Sequence, residues 1–374
     1  PADIGGLANI GLHCDGMGSA LFDIGDNSGR RRFGDLVVNA DNIALFTQHA
    51  GRCGTNPPAT ASNDSDFFIF GHKMSPVSNL SFNDRSGATT VEARAPHLRS
   101  DNCDMGIEKI RVGDIDIAYR WDGLTTGPVV MMAHAMGTSH RIWDWQLPKL
   151  YDRYRILRYD FRGHGNTDAP PGNYTLEQFV KDAVGIMDAL ELDKVHWVGI
   201  STGGMIGQGL GIYHGDKLLS LTLCNTTSKS TQWYRDQIAK RQAVVTEGGM
   251  TAGWEMTKRF WFTDAYVDEE GLNYHAIRKV FIKTPLLGYF GGTSAVANLN
   301  YKPLLPKIKT PTLIIAAGDD PITPLDHSEA INERISGSHL EVIPGQRHFS
   351  NVEVPILFNT ILRKGLDTFA NIYA

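Results

Sequence analysis

The sequence has no apolar run long enough to cross a membrane and no excess of positive charge. Its 374 residues include 36 lysines and arginines against 41 aspartates and glutamates, a formal net charge of -5 at pH 7. A membrane-spanning helix needs about 20 apolar residues in a row, and a secretory signal needs a charged segment before an apolar one. Nucleic-acid binding needs a basic patch. We therefore predict a cytoplasmic protein with neither nucleic acid nor a membrane as partner.

Cysteine is also scarce. The four cysteines, Cys14, Cys53, Cys103 and Cys224, form no C-x-x-C pair and have no metal-like spacing with histidine. Cys224 ends an apolar run, and we interpret it as a small core residue. The sequence thus predicts a reducing compartment, with no disulfide and no zinc or other metal.

Tryptophan and tyrosine are missing from residues 1–104, although the whole chain has 7 and 12. This segment has a single lysine, Lys73, and a single glutamate, Glu92, and shows no sustained helical or strand period. We predict an N-terminal extension of unknown role, irregular or with weak β structure, that the domain at 105–374 does not need. A binding module built on Arg30-Arg31-Arg32 and the cysteines is the alternative.

The second part of the chain alternates apolar runs with helical segments. The first two runs are joined by Gly113-Asp114, a tight-hairpin signal. Thr175 and Gln178 form a capping box before a helix predicted over 176–190, and a last helix is predicted over 355–369. The alternation predicts an α/β protein with an eight-stranded, mostly parallel sheet and helices on both faces. Its strands are predicted at 107–112, 115–121, 128–133, 154–159, 194–200, 219–224, 311–317 and 339–343.

A G-x-S-x-G motif lies where one of these strands turns into a helix. Gly199 and Gly203 flank Ser201 at two residues on either side. Glycines relieve the crowding of a sharp strand-to-helix turn that pushes a serine above the sheet, the arrangement called a nucleophile elbow. The sequence therefore predicts Ser201 as a nucleophile, with the N–H of Thr202 as one oxyanion donor.

A serine nucleophile needs a base, and the base needs an acid that orients it. After the strand at 311–317 the loop carries Asp319 and Asp320, and after the last strand comes His348. In the order serine, acid, histidine, we predict Asp320 as the acid, with Asp319 as the alternative, and His348 as the base.

Two other loop histidines, His134 and His164, are the closest rivals for the base. His134 follows the strand at 128–133, and we interpret it as part of the loop that carries the second oxyanion donor. Within that loop the N–H of Met136 is the candidate donor, and Gly137 allows a close approach of substrate. His164 follows the next strand, and we interpret it as a brace for its loop.

These residues resemble the α/β-hydrolase superfamily, and within it they are similar to the 3-oxoadipate enol-lactonases over roughly 106–368. One departure is Thr202, where those lactonases often carry methionine or lysine, and this changes a side chain beside the pocket. The matching motifs are Met136-Gly137-Thr138, Ile142-Trp143-Asp144, the Asp-x-Arg-Gly-His-Gly loop at Asp160, the segment Gly199 to Gln208, Leu223-Cys224-Asn225-Thr226, Trp261-Phe262-Thr263, Thr284-Pro285 with Gly288-Tyr289, and His348 to Glu353.

The resemblance implies the α/β-hydrolase fold with a helical cap at about 226–309, above the active site. The cap segment is rich in aromatic and cationic side chains, which suits a small, partly apolar, anionic substrate. Its cations include Arg235, Lys240, Arg241, Lys258, Arg259, Arg278 and Lys279. Residues predicted to contact substrate are Trp143, Trp233, Trp261 and Tyr289.

The predicted function is cofactor-free hydrolysis of a small carboxylic ester or lactone through an acyl-enzyme, by an enzyme that could form a homo-oligomer. The same triad could also cleave carbon–carbon bonds of diketones or hydrolyse acyl-homoserine lactones, and a metal-free perhydrolase is a further rival. A rival of a different class is a ligand receptor that turns over slowly or not at all.

Overall fold

The computed structural model describes residues 106–372 and, before them, the backbone of four short strands. These strands form one sheet in the order β1-β2-β3-β4, in which β2 and β3 are parallel and the other two pairs antiparallel. The chain divides into two units, Pro1–Asp104 and Met105–Ala374. The first four strands are β1 (Asn9–Cys14), β2 (Ala20–Gly25), β3 (Leu80–Asp84) and β4 (Gly87–Val91).

Several predictions for the first unit concern side chains outside the described part of the chain. These are the side chains of Cys14, Cys53, Cys103 and Arg30-Arg31-Arg32. The role of residues 1–104, and the division into an extension and a domain at 105–374, stay predictions.

The second unit is built on an eight-stranded sheet in the order β12-β11-β10-β9-β7-β8-β6-β5. Strand β6 is antiparallel to both of its neighbours, β5 and β8, and every other pair is parallel. The prediction of a mostly parallel sheet with one antiparallel hairpin is confirmed. Its strands are β5 (Glu108–Val112), β6 (Ile115–Gly123), β7 (Val129–Ala133), β8 (Arg155–Tyr159), β9 (Val195–Ile200), β10 (Leu218–Cys224), β11 (Thr312–Ala317) and β12 (His339–Ile343).

Helices cover both faces of this sheet. Every residue of β7, β9 and β11 is buried, and because successive side chains point to opposite faces, neither face is open to water. No helix in the described part of the chain combines the length and apolar character of a membrane span. The helices are α1 (Leu176–Ala189), α2 (Thr202–Tyr213), α3 (Gln232–Trp261), α4 (Asp264–Glu269), α5 (Leu272–Phe281), α6 (Leu286–Ala297), α7 (Leu325–Asn332), α8 (Ser350–Glu353) and α9 (Pro355–Ile372).

Helix α1 begins where the sequence predicts. The Thr175 hydroxyl accepts the Gln178 N–H at 3.1 Å, and the Gln178 side chain accepts the Thr175 N–H at 2.8 Å. Both halves of the predicted capping box are therefore formed, and two N–H groups at the helix start are satisfied.

Four helices, α3 to α6, lie between β10 and β11, the stretch for which a cap is predicted. Helix α3 bends at Gly249, whose φ of 67° is left-handed and needs glycine. Backbone hydrogen bonds pair the segments that enter and leave the insertion, from Ser230 N–H to Leu299 O at 2.9 Å and from Tyr301 N–H to Ser228 O at 2.8 Å. The insertion therefore leaves the sheet and returns to it through one narrow neck.

The parallel strands all end at one edge of the sheet. Five of them, β7, β9, β10, β11 and β12, end at Ala133, Ile200, Cys224, Ala317 and Ile343. The loops that carry Met136, Ser201, Asn225, Asp320 and His348 start at this edge, where ligands bind in open α/β sheets.

Candidate active site

Ser201 occupies a strained turn between β9 and α2. Its φ is 54° and its ψ is -113°, a conformation that costs a non-glycine residue free energy and that persists at functional sites. A Cβ on Gly199 would lie 2.1 Å from the Gly203 carbonyl oxygen, and one on Gly203 would lie 2.2 Å from that of Ala133. The glycines of the motif are thus required by close backbone contacts around the serine.

His348 and Asp320 form a buried pair. Nδ1 of His348 lies 2.7 Å from Oδ2 of Asp320, and the side chains are 2% and 0% exposed. The other carboxylate oxygen accepts the N–H groups of Ile322 at 2.8 Å and Thr323 at 3.1 Å. The Thr323 hydroxyl donates to Oδ2 at 2.6 Å. These bonds hold the carboxylate so that it fixes the tautomer of the imidazole.

The alternative acid, Asp319, lies elsewhere. Its side chain is exposed and lines a surface cleft beside Arg259 and Arg347, while its N–H donates to the carbonyl of Gln346 at 2.9 Å. Of the two adjacent aspartates, only Asp320 hydrogen-bonds to His348 in the described part of the chain.

Ser201 and His348 line the same cavity beneath the cap insertion. Its other polar lining residues are Arg241, Tyr234 and Thr293. The remaining lining residues are mainly apolar: Ala135, Met136, Ile238, Trp261, Val296 and Ile322. A lining that is mainly apolar with a few polar anchors is typical of sites that bind small organic molecules.

The four aromatic residues predicted to contact substrate lie in different places. Trp261 lines the cavity. Tyr289 is buried but packs edge-on against Phe281. Tyr289, Trp143 and Trp233 are not among the residues that line the cavity. Trp143 is fully buried, with its ring 6.4 Å from that of Phe358.

Trp233 is 46% exposed. It precedes Tyr234 on α3, and since successive helical residues are turned by about 100°, only one of the two can face the cavity. Tyr234 is the one that does, and burial raises the pKa of its phenol.

The two oxyanion candidates are free to donate. Among the hydrogen bonds of the described residues, none uses the N–H of Met136 or of Thr202, whereas the next N–H, of Gly203, donates to the His134 carbonyl at 3.0 Å. Gly137 has a φ of 73°, and a Cβ there would lie 2.7 Å from the Phe281 ring. Met136 is therefore held beside the cavity by a turn that needs glycine.

The two rival histidines are internal braces. Nε2 of His134 accepts the Phe161 N–H at 3.1 Å, and its Nδ1 lies 2.8 Å from the carbonyl of Ala135. Burial lowers the pKa of His134 to about 4 and that of His164 to about 3. Both rings are fully buried, so they remain neutral at pH 7. The His164 ring packs on Phe161 at 4.5 Å between centroids, and its Nδ1 lies 3.3 Å from the Arg162 carbonyl, so each histidine supports the loop that carries it.

The described residues contain no group of three or more histidine, cysteine, aspartate or glutamate side chains that could hold a metal ion. Cys224 is a free, fully buried thiol whose pKa is raised by burial.

Asn225 is a site residue that the sequence analysis does not predict, although it lies in the motif Leu223-Cys224-Asn225-Thr226. Its side-chain amide donates to the His348 carbonyl at 2.6 Å and to the Ser350 hydroxyl at 3.1 Å. Its side-chain oxygen accepts the Ala317 N–H at 2.9 Å. One side chain therefore joins the ends of β10 and β11 to the loop of His348. An asparagine directly after a buried strand is the signal that could have identified it.

We expect Asn225→Ala to lower kcat about 10- to 100-fold with little change in KM, because small misplacements of a reacting group cost that much. Steady-state kinetics on a simple ester, with the melting temperature of each variant, measure this. Asn298→Ala is the control, since Asn298 is exposed and its side chain bonds only to the Ser294 carbonyl among the described residues. Equal kcat in both variants would contradict a positioning role for Asn225.

The sheet, the cap insertion and the serine at a strained strand-to-helix turn together define the α/β-hydrolase class. A family model for the alpha/beta hydrolase fold matches residues 128–258. A curated relative, 3-oxoadipate enol-lactonase 1 of Acinetobacter baylyi, is 33% identical over 243 residues, which make up 65% of this chain and 90% of the relative.

Solved structures agree. The enol-lactonase from Burkholderia xenovorans LB400 is 29% identical, with a TM-score of 0.67 over 70% of this chain and 100% of its own. A hydrolase from Pseudomonas aeruginosa PA01 is 32% identical, with a TM-score of 0.67 over 70% of this chain and 98% of its own. This chain therefore belongs to the α/β-hydrolase family, and it is a hydrolase that resembles 3-oxoadipate enol-lactonase.

Proposed function

We propose that this protein is a serine hydrolase that opens a small lactone or cleaves a small carboxylic ester through an acyl-enzyme on Ser201. The observation that carries the proposal is the Asp320–His348 pair at 2.7 Å, together with the cavity that His348 shares with Ser201. Two of the similar proteins are named enol-lactonases, which supports a lactone of the 3-oxoadipate enol-lactone type as substrate.

In the first half-reaction His348 accepts the proton of Ser201 as the serine oxygen attacks the substrate carbonyl. Because Asp320 holds Nδ1, the other ring nitrogen of His348 is the one left to act as base, and the carboxylate stabilises the imidazolium that forms. The N–H groups of Met136 and Thr202 stabilise the oxyanion, and loss of one such donor typically costs about 10²- to 10³-fold in kcat.

With a lactone the carbon–oxygen bond of the ring breaks, but the leaving oxygen stays attached to the acyl group. His348 returns its proton to that oxygen, so the acyl-enzyme has the mass of the protein plus the whole substrate. Water, deprotonated by His348, then attacks the ester carbonyl. The bond to Ser201 breaks as His348 returns the proton to the serine oxygen, and the ring-opened acid is released. No step needs a cofactor, and the proposed partner is the small molecule alone. The cytoplasmic location and a homo-oligomer stay predictions.

The test is rapid acid quench of the full chain with 3-oxoadipate enol-lactone, an unsubstituted γ-lactone and p-nitrophenyl acetate, followed by intact mass measurement. We expect turnover of at least the enol-lactone and the aryl ester, with transient adducts of the whole lactone and of an acetyl group. Cleavage of a carbon–carbon bond in a diketone, with every lactone and ester left intact, would refute the proposal.

A further inference from the structure

Arg241 of α3 brings a positive charge to the cavity that contains Ser201 and His348. Its Nε is buried and has no hydrogen-bond partner among the described residues. Burying a guanidinium N–H without an acceptor costs free energy. A bound molecule with an oxygen beside this atom would supply the missing acceptor.

Other cations of the insertion are placed differently. Arg259 bonds to Asp264 and Asp268 at 3.0 and 2.7 Å, and Lys258 pairs with Glu255. Arg235 donates to the carbonyl of Ser230 at 2.9 Å. None of these three residues lines the cavity with Ser201, and each already has a partner within the protein.

The wider surface cleft beside Asp319 offers no comparable charge. Its two arginines, Arg259 and Arg347, both bond to Asp264. A ligand carboxylate there would compete with an acidic side chain that is already in place.

Burial raises the pKa of the Tyr234 phenol, and the neighbouring Arg241 guanidinium opposes that rise through its charge and a hydrogen bond. No aspartate or glutamate is among the residues that line the cavity, and the polar neighbours are the phenol of Tyr234 and the hydroxyl of Thr293. The other lining side chains near it, Ile238, Trp261 and Val296, are apolar. Arg241 is half-buried, where the attraction between a guanidinium and a carboxylate is stronger than in water, and arginine can bind a carboxylate through two N–H groups.

We infer that Arg241 binds a carboxylate of the substrate, remote from the ester or lactone carbonyl, so that the enzyme selects anionic substrates over neutral ones of the same shape. This inference rests on the proposed function, because it names the class of molecule that the Ser201 site accepts. It assigns Arg241 to specificity and gives it no part in the proton transfers.

The test compares a γ-lactone that bears a carboxymethyl group with the corresponding carboxamide, which has nearly the same shape and no charge. We expect the ratio of kcat/KM for the anionic over the neutral lactone to fall about 10- to 100-fold in Arg241→Gln, the range for a hydrogen bond to a charged group. Arg241→Lys should keep part of the preference.

Lys240→Gln is the matched control. Lys240 precedes Arg241 on α3 and is exposed. Its replacement by glutamine removes one positive charge, as Arg241→Gln does. The ratio should stay at the value of the unaltered protein in this variant.

A binding measurement separates this inference from the proposed function. Calorimetric titration of the same two lactones into Ser201→Ala needs no turnover, and the anionic lactone should bind about 10- to 100-fold more tightly, with the difference lost when Arg241→Gln is added. The role of Arg241 would be overturned if Ser201→Ala bound both lactones with equal affinity, or if Arg241→Gln weakened the binding of both lactones by the same factor. Either result would count whether or not the lactones are hydrolysed. Preferential binding without hydrolysis by the unaltered protein would instead refute the proposed function.

Discussion

Ser201→Ala is expected to lower kcat for p-nitrophenyl acetate about 10⁵- to 10⁶-fold, the loss seen when a triad serine is removed. The serine oxygen is the atom that forms the acyl-enzyme, and the neighbouring groups cannot replace it. The side chain is small and 4% exposed, so alanine fits the same space. Initial rates with stoichiometric amounts of enzyme, and circular dichroism of the folded variant, measure the effect.

Ser328→Ala is the control for this substitution. Ser328 is fully buried on α7, and its hydroxyl has no hydrogen-bond partner among the described residues. It should keep a kcat close to that of the unaltered protein. Hydrolysis by a folded Ser201→Ala at a comparable rate would remove Ser201 from the mechanism.

Asp320→Asn is expected to lower kcat about 10⁴-fold, the loss that follows when the acid of a triad becomes an amide. An amide can still accept the N–H groups of Ile322 and Thr323, so the loop should keep its shape. It no longer stabilises the imidazolium, and it can leave His348 in the wrong tautomer. The measurement is kcat on the same ester, with the melting temperature as a check on folding.

The chain offers a matched control one residue away. Asp319→Asn changes the same charge on the same loop, but the Asp319 side chain is exposed and makes no hydrogen bond to His348 in the described part of the chain. We expect its kcat to stay near that of the unaltered protein. A larger loss in Asp319→Asn than in Asp320→Asn would exchange the roles of the two residues.

The centre of the sheet could be predicted from sequence because strands β7, β9 and β11 are buried on both faces and appear as short apolar runs. Each predicted run lies within two residues of an observed strand, for example 311–317 against Thr312–Ala317. Parallel strands end at one edge of a sheet, so the loops that follow them meet there. Ser201, Asp320 and His348 each follow such a strand, in the order serine, acid, histidine, and could therefore be proposed as partners although long stretches of chain separate them.

The cap insertion was less predictable because its helices use the same residue types for packing and for binding. Trp233 and Tyr234 are adjacent on α3, yet one faces solvent and the other the cavity. Arg241 could not be distinguished from the other cations before the packing of α3 was known. Which face of an amphipathic helix is covered depends on tertiary contacts that no local pattern contains.

Asn225 illustrates a different limit. Its three hydrogen bonds reach Ala317, His348 and Ser350, which lie far along the chain. The short motif around it could indicate relatives, but only the assembled sheet edge brings these partners within reach of one amide.

The central claim is that the Ser201 hydroxyl is the activated nucleophile of this protein. Labelling of the full chain with a fluorophosphonate, followed by peptide mapping, tests it most directly, because this reagent phosphonylates serines that a neighbouring base has activated. We predict one adduct per chain, on the peptide that contains Ser201, lost in Ser201→Ala and formed more slowly in Asp320→Asn. An adduct on a different serine, or none in a preparation that turns over its ester, would contradict it.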